Sequence, residues 1–310
     1  MRRSVVVAVA LACLALAACA DDAPKKAATM TGASTTPSST PSTPTTSTTS
    51  TTTTTTGAIP RTTPPKPATT SKKPTSSALR TSLKGDPNDA FAFAPLSDPG
   101  NVTVEGSVSS YKAWSTSKVL VVAAFLDTVC DGDPTRASAQ QRRWITAALT
   151  ASDMNAVNAL RDSIPGSPGA AINRVLRSVG DTRTLAPDTS QGGMQWTIRE
   201  QVRFMAALAS GRVVSKASSS YLLSVMHPIP AHQWGLGTIG ASAFKGGWLR
   251  ADTVTRQMGI VDGYAVAIIT DHVGPAVVQT DGDAAHVQQM NYLAKVLDRR
   301  LAIEGRRGPP

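Results

Sequence analysis

Residues 114–126 read WSTSKVLVVAAFL, where a short polar run meets a long apolar one. The apolar stretch has no helix-breaking residue, so it predicts a buried helix over residues 115–129. Ser115 and Lys118 stand three residues apart near its start, which puts their side chains on one helix face. A buried ammonium costs free energy unless something uses it. The position of Lys118 therefore raises the question of what that use is.

The pair Ser115 and Lys118 has the chemistry of an activated nucleophile. At a helix N-terminus, free backbone N–H groups can hold a developing oxyanion beside the serine. A lysine desolvated enough to be neutral part of the time can take the serine proton. The same spacing occurs at 109–112 and at 242–245, so the spacing alone is not specific. Only Ser115 begins an apolar helix that follows a predicted hairpin.

The N-terminal quarter of the chain predicts export and tethering. Residues 1–18 form a basic start and an apolar run, which is typical of a signal peptide. The ending Leu-Ala-Ala-Cys resembles the bacterial lipobox and implies a lipid on Cys19, whereas the alternative is an ordinary signal peptide. Residues 19–75 are rich in Thr, Ser and Pro, so we expect a disordered stalk. One folded domain is predicted over residues 76–305, followed by a tail at 306–310.

Charge and cysteine content argue against a nucleic-acid-binding protein and against a disulfide-stabilised domain. The formal net charge is +10, but residues 1–84 carry ten basic against two acidic residues, so the folded part is nearly balanced. It shows no basic stripe, and nucleic acid binding is not expected. Cys130 is the one cysteine of the predicted domain, which excludes a disulfide within it. The four histidines lack ligand spacing, so no metal and no other cofactor is predicted.

Alternation and turn residues predict the remaining elements. We expect a hairpin at 91–96 and 102–108, helices at 138–150, 152–163, 169–178, 197–210 and 218–226, strands at 241–249, 253–263 and 264–272, and a last helix at 283–301. This order indicates an α+β fold with three layers (αβα), in which helices flank an antiparallel five-stranded sheet beside an all-helical lobe. A site is expected in a cleft between the sheet and the lobe.

Several stretches, in order, resemble the class A β-lactamases and penicillin-binding proteins. WSTSKVLVVAAFL is similar to their nucleophile helix, and the resemblance covers nearly all of residues 76–305. The further matches are LTASDMNAVNAL (149–160) with Ser152, Asp153, Ala156 and Asn158, SVGDTRTL (178–185) before the family's Ω-loop, and FKGGW (244–248) with Lys245 and Gly247. The resemblance implies the β-lactamase/transpeptidase-like version of this fold.

The resemblance also implies roles for named residues. Ser115 would be the acylated nucleophile, Lys118 its base, and Ser152 the proton relay to the leaving group. Lys245 would hold a substrate carboxylate, and Gly247 belongs to the same motif. Further substrate contacts are expected from the backbone N–H groups of Ser115 and Trp248 as an oxyanion hole, from Arg256 on the next strand, and from Asn155 through a local bulge.

Three departures from the family pattern argue against efficient turnover. Met154 replaces an asparagine, and Gly246 replaces a threonine of the Lys-Thr-Gly motif. No glutamate lies between Leu185 and Thr197, where class A β-lactamases keep the residue that activates the deacylating water. Asp188 is the candidate replacement, against the simpler interpretation of a turn residue.

These observations support three hypotheses. The first is a serine hydrolase that forms an acyl-enzyme at Ser115 with a peptidoglycan peptide, an ester or a β-lactam, and deacylates slowly. The second is a catalytically degenerate domain that binds peptidoglycan or a partner protein. The third makes Ser115 a helix cap and Lys118 a surface residue of an unrelated fold. For the first two we expect a monomer held by its lipid at the bacterial cell membrane, facing the wall or periplasm.

Overall fold

The computed structural model describes residues 80–250, 252–273 and 284–306. The predicted signal peptide, the stalk with Cys19, and the tail beyond Arg306 lie outside the described residues. Within the described ranges, no helix combines the length and the hydropathy that a membrane span requires.

Along the described chain, two strands are followed by a helical block, three strands and a closing helix, as the sequence predicts. The strands are β1 (Asp89–Pro95), β2 (Thr103–Gly106), β3 (Ala243–Gly247), β4 (Thr255–Val261) and β5 (Tyr264–Thr270). The α-helices are α1 (Ser117–Thr128), α2 (Ala139–Thr150), α3 (Met154–Asp162), α4 (Pro168–Ser178), α5 (Ile198–Ala209), α6 (Lys216–Val225) and α7 (Ala285–Arg306). Short 3-10 turns cover Trp114–Thr116, Pro134–Arg136, Gln191–Gly193, Pro230–His232 and Gly235–Ile239.

The five strands form one antiparallel sheet in the order β2-β1-β5-β4-β3. The predicted hairpin is confirmed as β1 and β2, with Phe91 opposite Glu105. In β1, alanines alternate with Phe91 and Phe93, so the two faces of the sheet carry side chains of different size. The alanines belong to one apolar core and the phenylalanines to a second.

Helices cover both faces of the sheet, because both faces are apolar. On the alanine face, α5 packs against β1, β4 and β5, whereas α7 packs against the same strands on the phenylalanine face. This arrangement confirms the predicted three-layer αβα fold. The helices α1 to α4 and α6 pack on one another and form the predicted helical lobe.

Helix α1 is the core of that lobe. Its residues from Ser117 to Leu126 are all buried, as expected for a helix that is apolar on every side. The neighbouring helices are amphipathic and begin at side-chain caps, including a capping box of Ser138 with Gln141 at α2. The start of α1 differs from the prediction, because Ser115 lies in a 3-10 turn and regular α-helix begins at Ser117.

The end of β3 packs directly against this 3-10 turn. A Cβ atom on Gly247 would lie 2.8 Å from the Ala113 carbonyl oxygen and 2.9 Å from the amide nitrogens of Ser115 and Thr116. Those atoms are backbone and cannot move aside cheaply, so position 247 requires glycine. The contact places the sheet edge against the residue predicted to be the nucleophile.

We expect Gly247→Ala to lower the free energy of unfolding by about 1–3 kcal/mol, since the added methyl group overpacks this contact. Thermal or urea unfolding of the purified protein measures the loss. Gly100→Ala is the matched control, because the nearest atom to its Cβ would be 3.9 Å away. Equal stability of the two variants would contradict the close approach of β3 to the turn.

Candidate active site

The structure brings the hydroxyl of Ser115 and the amine of Lys118 together. Lys118 Nζ donates a hydrogen bond of 2.8 Å to Ser115 Oγ. The lysine is buried, with 3% of its surface exposed. Burial lowers the pKa of Lys118 to about 8, against an opposing effect of the nearby Asp153 charge. A lysine of this kind is neutral often enough to serve as a base near neutral pH.

A second lysine and serine meet beside the first pair. Lys245 Nζ donates to Ser152 Oγ and to the Gly246 carbonyl oxygen, each at 2.8 Å. Lys245 is buried, and this burial, together with the charge of Lys118, holds its pKa well below the usual range. The two amines therefore disfavour each other's protonation, and the site resists carrying both charges.

Two residues next to these groups have left-handed backbones. Trp114, which precedes the serine, has φ of 43°, and Ser152 has φ of 62°. Such conformations cost on the order of 1 kcal/mol or more in residues other than glycine. They occur in the 3-10 turn that precedes α1 and in the loop between α2 and α3. Strain of this kind is typical of functional sites.

Ser115 and Lys118 open into a cavity of about 340 Å³. Its wall comes from the start of α1, from one face of α3, from residues 189–193 and from the end of β3. The lining residues are Trp114, Ser115, Ser117, Lys118, Val121, Met154, Val157, Asn158, Arg161, Thr189, Ser190, Gln191, Gly192, Gly193, Trp248 and Leu249. The volume is sufficient for a small ligand.

Ser152 and Lys245 are not among the residues that line the cavity, whereas Trp248 is. A Cβ atom on Gly246 would lie 2.9 Å from the Cζ3 atom of the Trp248 ring. The ring centroid is 6.0 Å from Lys245 Nζ, within cation–π range. The indole thus occupies the space that a threonine at position 246 would need. This packing is a physical reason for the glycine there.

Asn155 does not reach the cavity. Its side chain is exposed, and helix α3 starts without a bulge at Met154, capped by Asp153. Met154 and Asn158 instead present their side chains to the cavity. The prediction of an amide supplied by Asn155 is therefore corrected.

Arg256 is also placed elsewhere. It is fully buried, and its guanidinium donates to the carbonyl oxygens of Tyr111, Lys112 and Trp196 at 2.8–3.0 Å. These bonds tie β4 to the segment that leads into the serine turn. The guanidinium is committed to backbone, so the predicted contact with a substrate carboxylate is corrected to a structural role.

Asp188 is not among the residues that line the cavity. Its Oδ1 accepts from the hydroxyl of Ser167 at 2.5 Å and from the Gly169 amide at 2.9 Å, which secures the start of α4. The hydrogen bond from Ser167 is the main reason that its pKa is lowered. Among the described residues that line the cavity, none is an aspartate or a glutamate. The turn-residue interpretation of Asp188 is the one that this geometry fits.

The sequence analysis missed two parts of the cavity wall. Arg161 lines it from the last turn of α3, and residues 189–193 line it from the opposite side. Met154, Asn158 and Arg161 are spaced i, i+4 and i+7, so extending the helix face from the Ser152 motif would have found the arginine. No sequence pattern singles out residues 189–193, because loop placement depends on the packed fold.

Other candidate chemistry is sparse in the part of the chain that the structure describes. There, no group of three or more His, Cys, Asp and Glu side chains is placed to bind a metal ion. Cys130 is buried and free, and burial raises the pKa of its thiol. A thiol of this kind is a poor nucleophile, and Ser115 with Lys118 remains the candidate reactive pair.

Comparison with known proteins bears on the family and the fold of the chain. A model of the beta-lactamase enzyme family matches residues 134–290, just over half of the chain, in a range that begins after Lys118. No curated protein matches the chain.

Three solved structures share the fold at low sequence identity. PBP-A is 19% identical, with a TM-score of 0.53 over 72% of this chain and 93% of its own. The TLA-3 extended-spectrum beta-lactamase is 16% identical, with a TM-score of 0.53 over 71% and 95%. The chromosome-encoded beta-lactamase of Vibrio parahaemolyticus is 17% identical, with a TM-score of 0.52 over 71% and 94%. These likenesses show the fold, and the family model, which matches just over half of the chain, shows that the chain belongs to the beta-lactamase enzyme family.

Proposed function

We propose that this β-lactamase-like serine hydrolase fold forms an acyl-enzyme at Ser115 and releases the acyl group slowly. The single observation that carries the proposal is the 2.8 Å contact between Ser115 Oγ and a buried Lys118 Nζ. A serine hydroxyl is a weak nucleophile until a neighbouring base removes its proton. Lys118 is within reach and has a pKa of about 8, so it meets both requirements of a general base.

The acylation step follows from these groups. The neutral amine of Lys118 accepts the hydroxyl proton while Ser115 Oγ forms a bond to the substrate carbonyl carbon. The backbone N–H groups of Ser115 and Trp248 are the candidate donors to the resulting oxyanion. Ser152, bonded to Lys245, is the candidate to pass a proton to the leaving group as the tetrahedral intermediate collapses.

Slow deacylation is the second part of the proposal. Hydrolysis of an acyl-enzyme needs a base that activates water on the other side of the ester. The described lining of the cavity contains no carboxylate, and Asp188 is bonded to Ser167 and Gly169 instead. We therefore expect the acyl-enzyme to hydrolyse more slowly than it forms.

The proposed substrates are a peptidoglycan peptide, an ester or a β-lactam. The proposed location is the outer side of the bacterial cell membrane, with a lipid on Cys19 as the anchor and residues 19–75 as the stalk. A flexible chain of that length reaches on the order of 40 Å, which is a distance suited to the cell wall. The lipobox-like LAAC sequence and the Thr/Ser/Pro composition support this part.

A second candidate function is binding without turnover to peptidoglycan or a partner protein. The observation that favours it is that neither Ser152 nor Lys245 is among the residues that line the cavity. An enzyme would need both groups to reach the bound substrate. A protein that only binds has no such requirement.

Labelling distinguishes the two candidates. We expect a fluorescent penicillin or a fluorophosphonate to add one mass increment to the intact protein, and Ser115→Ala to lower the labelling rate by about 10³-fold or more. Ser109→Ala is the matched control, since Ser109 shares the Ser-x-x-Lys spacing but is exposed and bonds to Asp271.

The same measurement follows the fate of the label. After excess penicillin is removed, the increment should persist for many minutes, because the cavity wall lacks a carboxylate base. Rapid loss of the increment would contradict slow deacylation. An unlabelled native protein after long incubation would favour the binding function instead.

The rate of labelling should depend on pH through Lys118. The base must be deprotonated, so the rate rises as pH increases through about 8 and then levels off. Asp153→Asn keeps an oxygen acceptor for the Ala156 amide but removes the charge that raises the pKa of Lys118, so the midpoint should move to lower pH. A profile that is flat between pH 6 and 9 would exclude Lys118 as the base.

A further inference from the structure

We infer that Arg161 forms an anion subsite in the cavity and selects acyl donors that carry a second, unreacted carboxylate. The inference rests on the proposed acylation of Ser115 and adds to it the chemical class of the substrate. Arg161 lines the same cavity as Ser115 and Lys118. It occupies the last turn of α3, and its side chain is 18% exposed.

Two neighbours hold the guanidinium in a defined orientation. Its Nη1 donates to Asn158 Oδ1 at 2.9 Å, and its Nε and Nη2 donate to Asp162 Oδ1 at 3.0 and 2.9 Å. A guanidinium has five N–H groups, so these three bonds leave two for a ligand among the described contacts. An arginine fixed beforehand loses less conformational entropy when it binds a carboxylate.

Solvent weakens the ion pair between Arg161 and Asp162. The Asp162 side chain is 66% exposed, so water screens its charge. Asp162 itself is not one of the residues that line the cavity. The carboxylate thus binds the Nε and Nη2 edge of the guanidinium. One N–H group on Nη1 and one on Nη2 remain for an anion in the cavity.

The other cations near the serine are unavailable to a substrate anion. Lys245 is buried, bonded to Ser152 and Gly246, and not among the residues that line the cavity. Lys118 must give up its charge to act as the base. While Lys118 is neutral, before it takes the serine proton, Arg161 is therefore the one cationic side chain among the described residues of the cavity wall, which also lack a carboxylate. An anionic group on the substrate has one favourable place to bind.

A pair of thioesters tests this selection. The probes are the mono-S-phenyl thioesters of adipic acid and of adipic monoamide, which differ only in a terminal carboxylate or carboxamide. Intact mass spectrometry gives the rate of Ser115 acylation by each. We expect the wild-type protein to prefer the carboxylate about tenfold, Arg161→Gln to reduce the preference to within about twofold, and Arg161→Lys to retain part of it.

Arg143→Gln is the matched control. Arg143 also bonds to an amide three residues earlier, Gln140, at 2.6 Å, but it is exposed on α2 and does not line this cavity. It should keep the wild-type preference. A wild-type protein that reacts equally with both probes, or an Arg161→Gln variant that keeps the preference, would overturn the subsite and leave acylation at Ser115 intact.

A binding measurement covers the case in which neither thioester reacts, which would count against the proposed function. Adipic monoamide itself has one carboxylate and no reactive ester. Its binding to Ser115→Ala is followed by tryptophan fluorescence, since Trp114 and Trp248 line the cavity. We expect about tenfold weaker binding when Arg161→Gln is added. Equal affinities in the two backgrounds would overturn the subsite independently of catalysis.

Discussion

Removal of two lysine amines from water is the constraint on which this structure depends. Lys118 and Lys245 are both buried, and a charged amine in such a place is costly. Each amine is satisfied by a serine hydroxyl at 2.8 Å, and each has a lowered pKa. The left-handed backbones of Trp114 and Ser152 and the close approach of Gly247 all serve to hold those hydroxyls in place.

Burial also distinguishes the two lysine amines from the guanidinium of Arg161. The lysines are adapted to exchange protons, since burial brings their neutral forms within reach. Arg161 is less buried and is held by hydrogen bonds to Asn158 and Asp162. A wall with one arginine, one buried lysine amine and no described carboxylate suits the proposed capture of an anionic acyl group better than its hydrolysis.

Much of this arrangement could be predicted from the sequence, because it is encoded locally. The apolar run after Ser115 predicts α1, and the alternation around 97–101 predicts the hairpin of β1 and β2. The side chains that the sequence misplaced depend on distant neighbours. Arg256 turns to carbonyl groups some 60 and 145 positions away in the chain, and the Trp248 ring finds its space only because residue 246 is glycine. Such partners are invisible until the layers have packed.

The alternation of alanine and phenylalanine in β1 has a consequence for folding errors. Adjacent residues of a strand point to opposite faces, so a shift in pairing by one position would turn phenylalanines into the space built for alanines. On β3, the same slip would exchange Lys245 with its neighbour Phe244 and withdraw the amine from Ser152. A misregistered sheet would keep its circular dichroism yet lose the reactive centre. The size difference between alanine and phenylalanine in β1 thus disfavours the shifted pairing in which Lys245 and Ser152 would no longer meet.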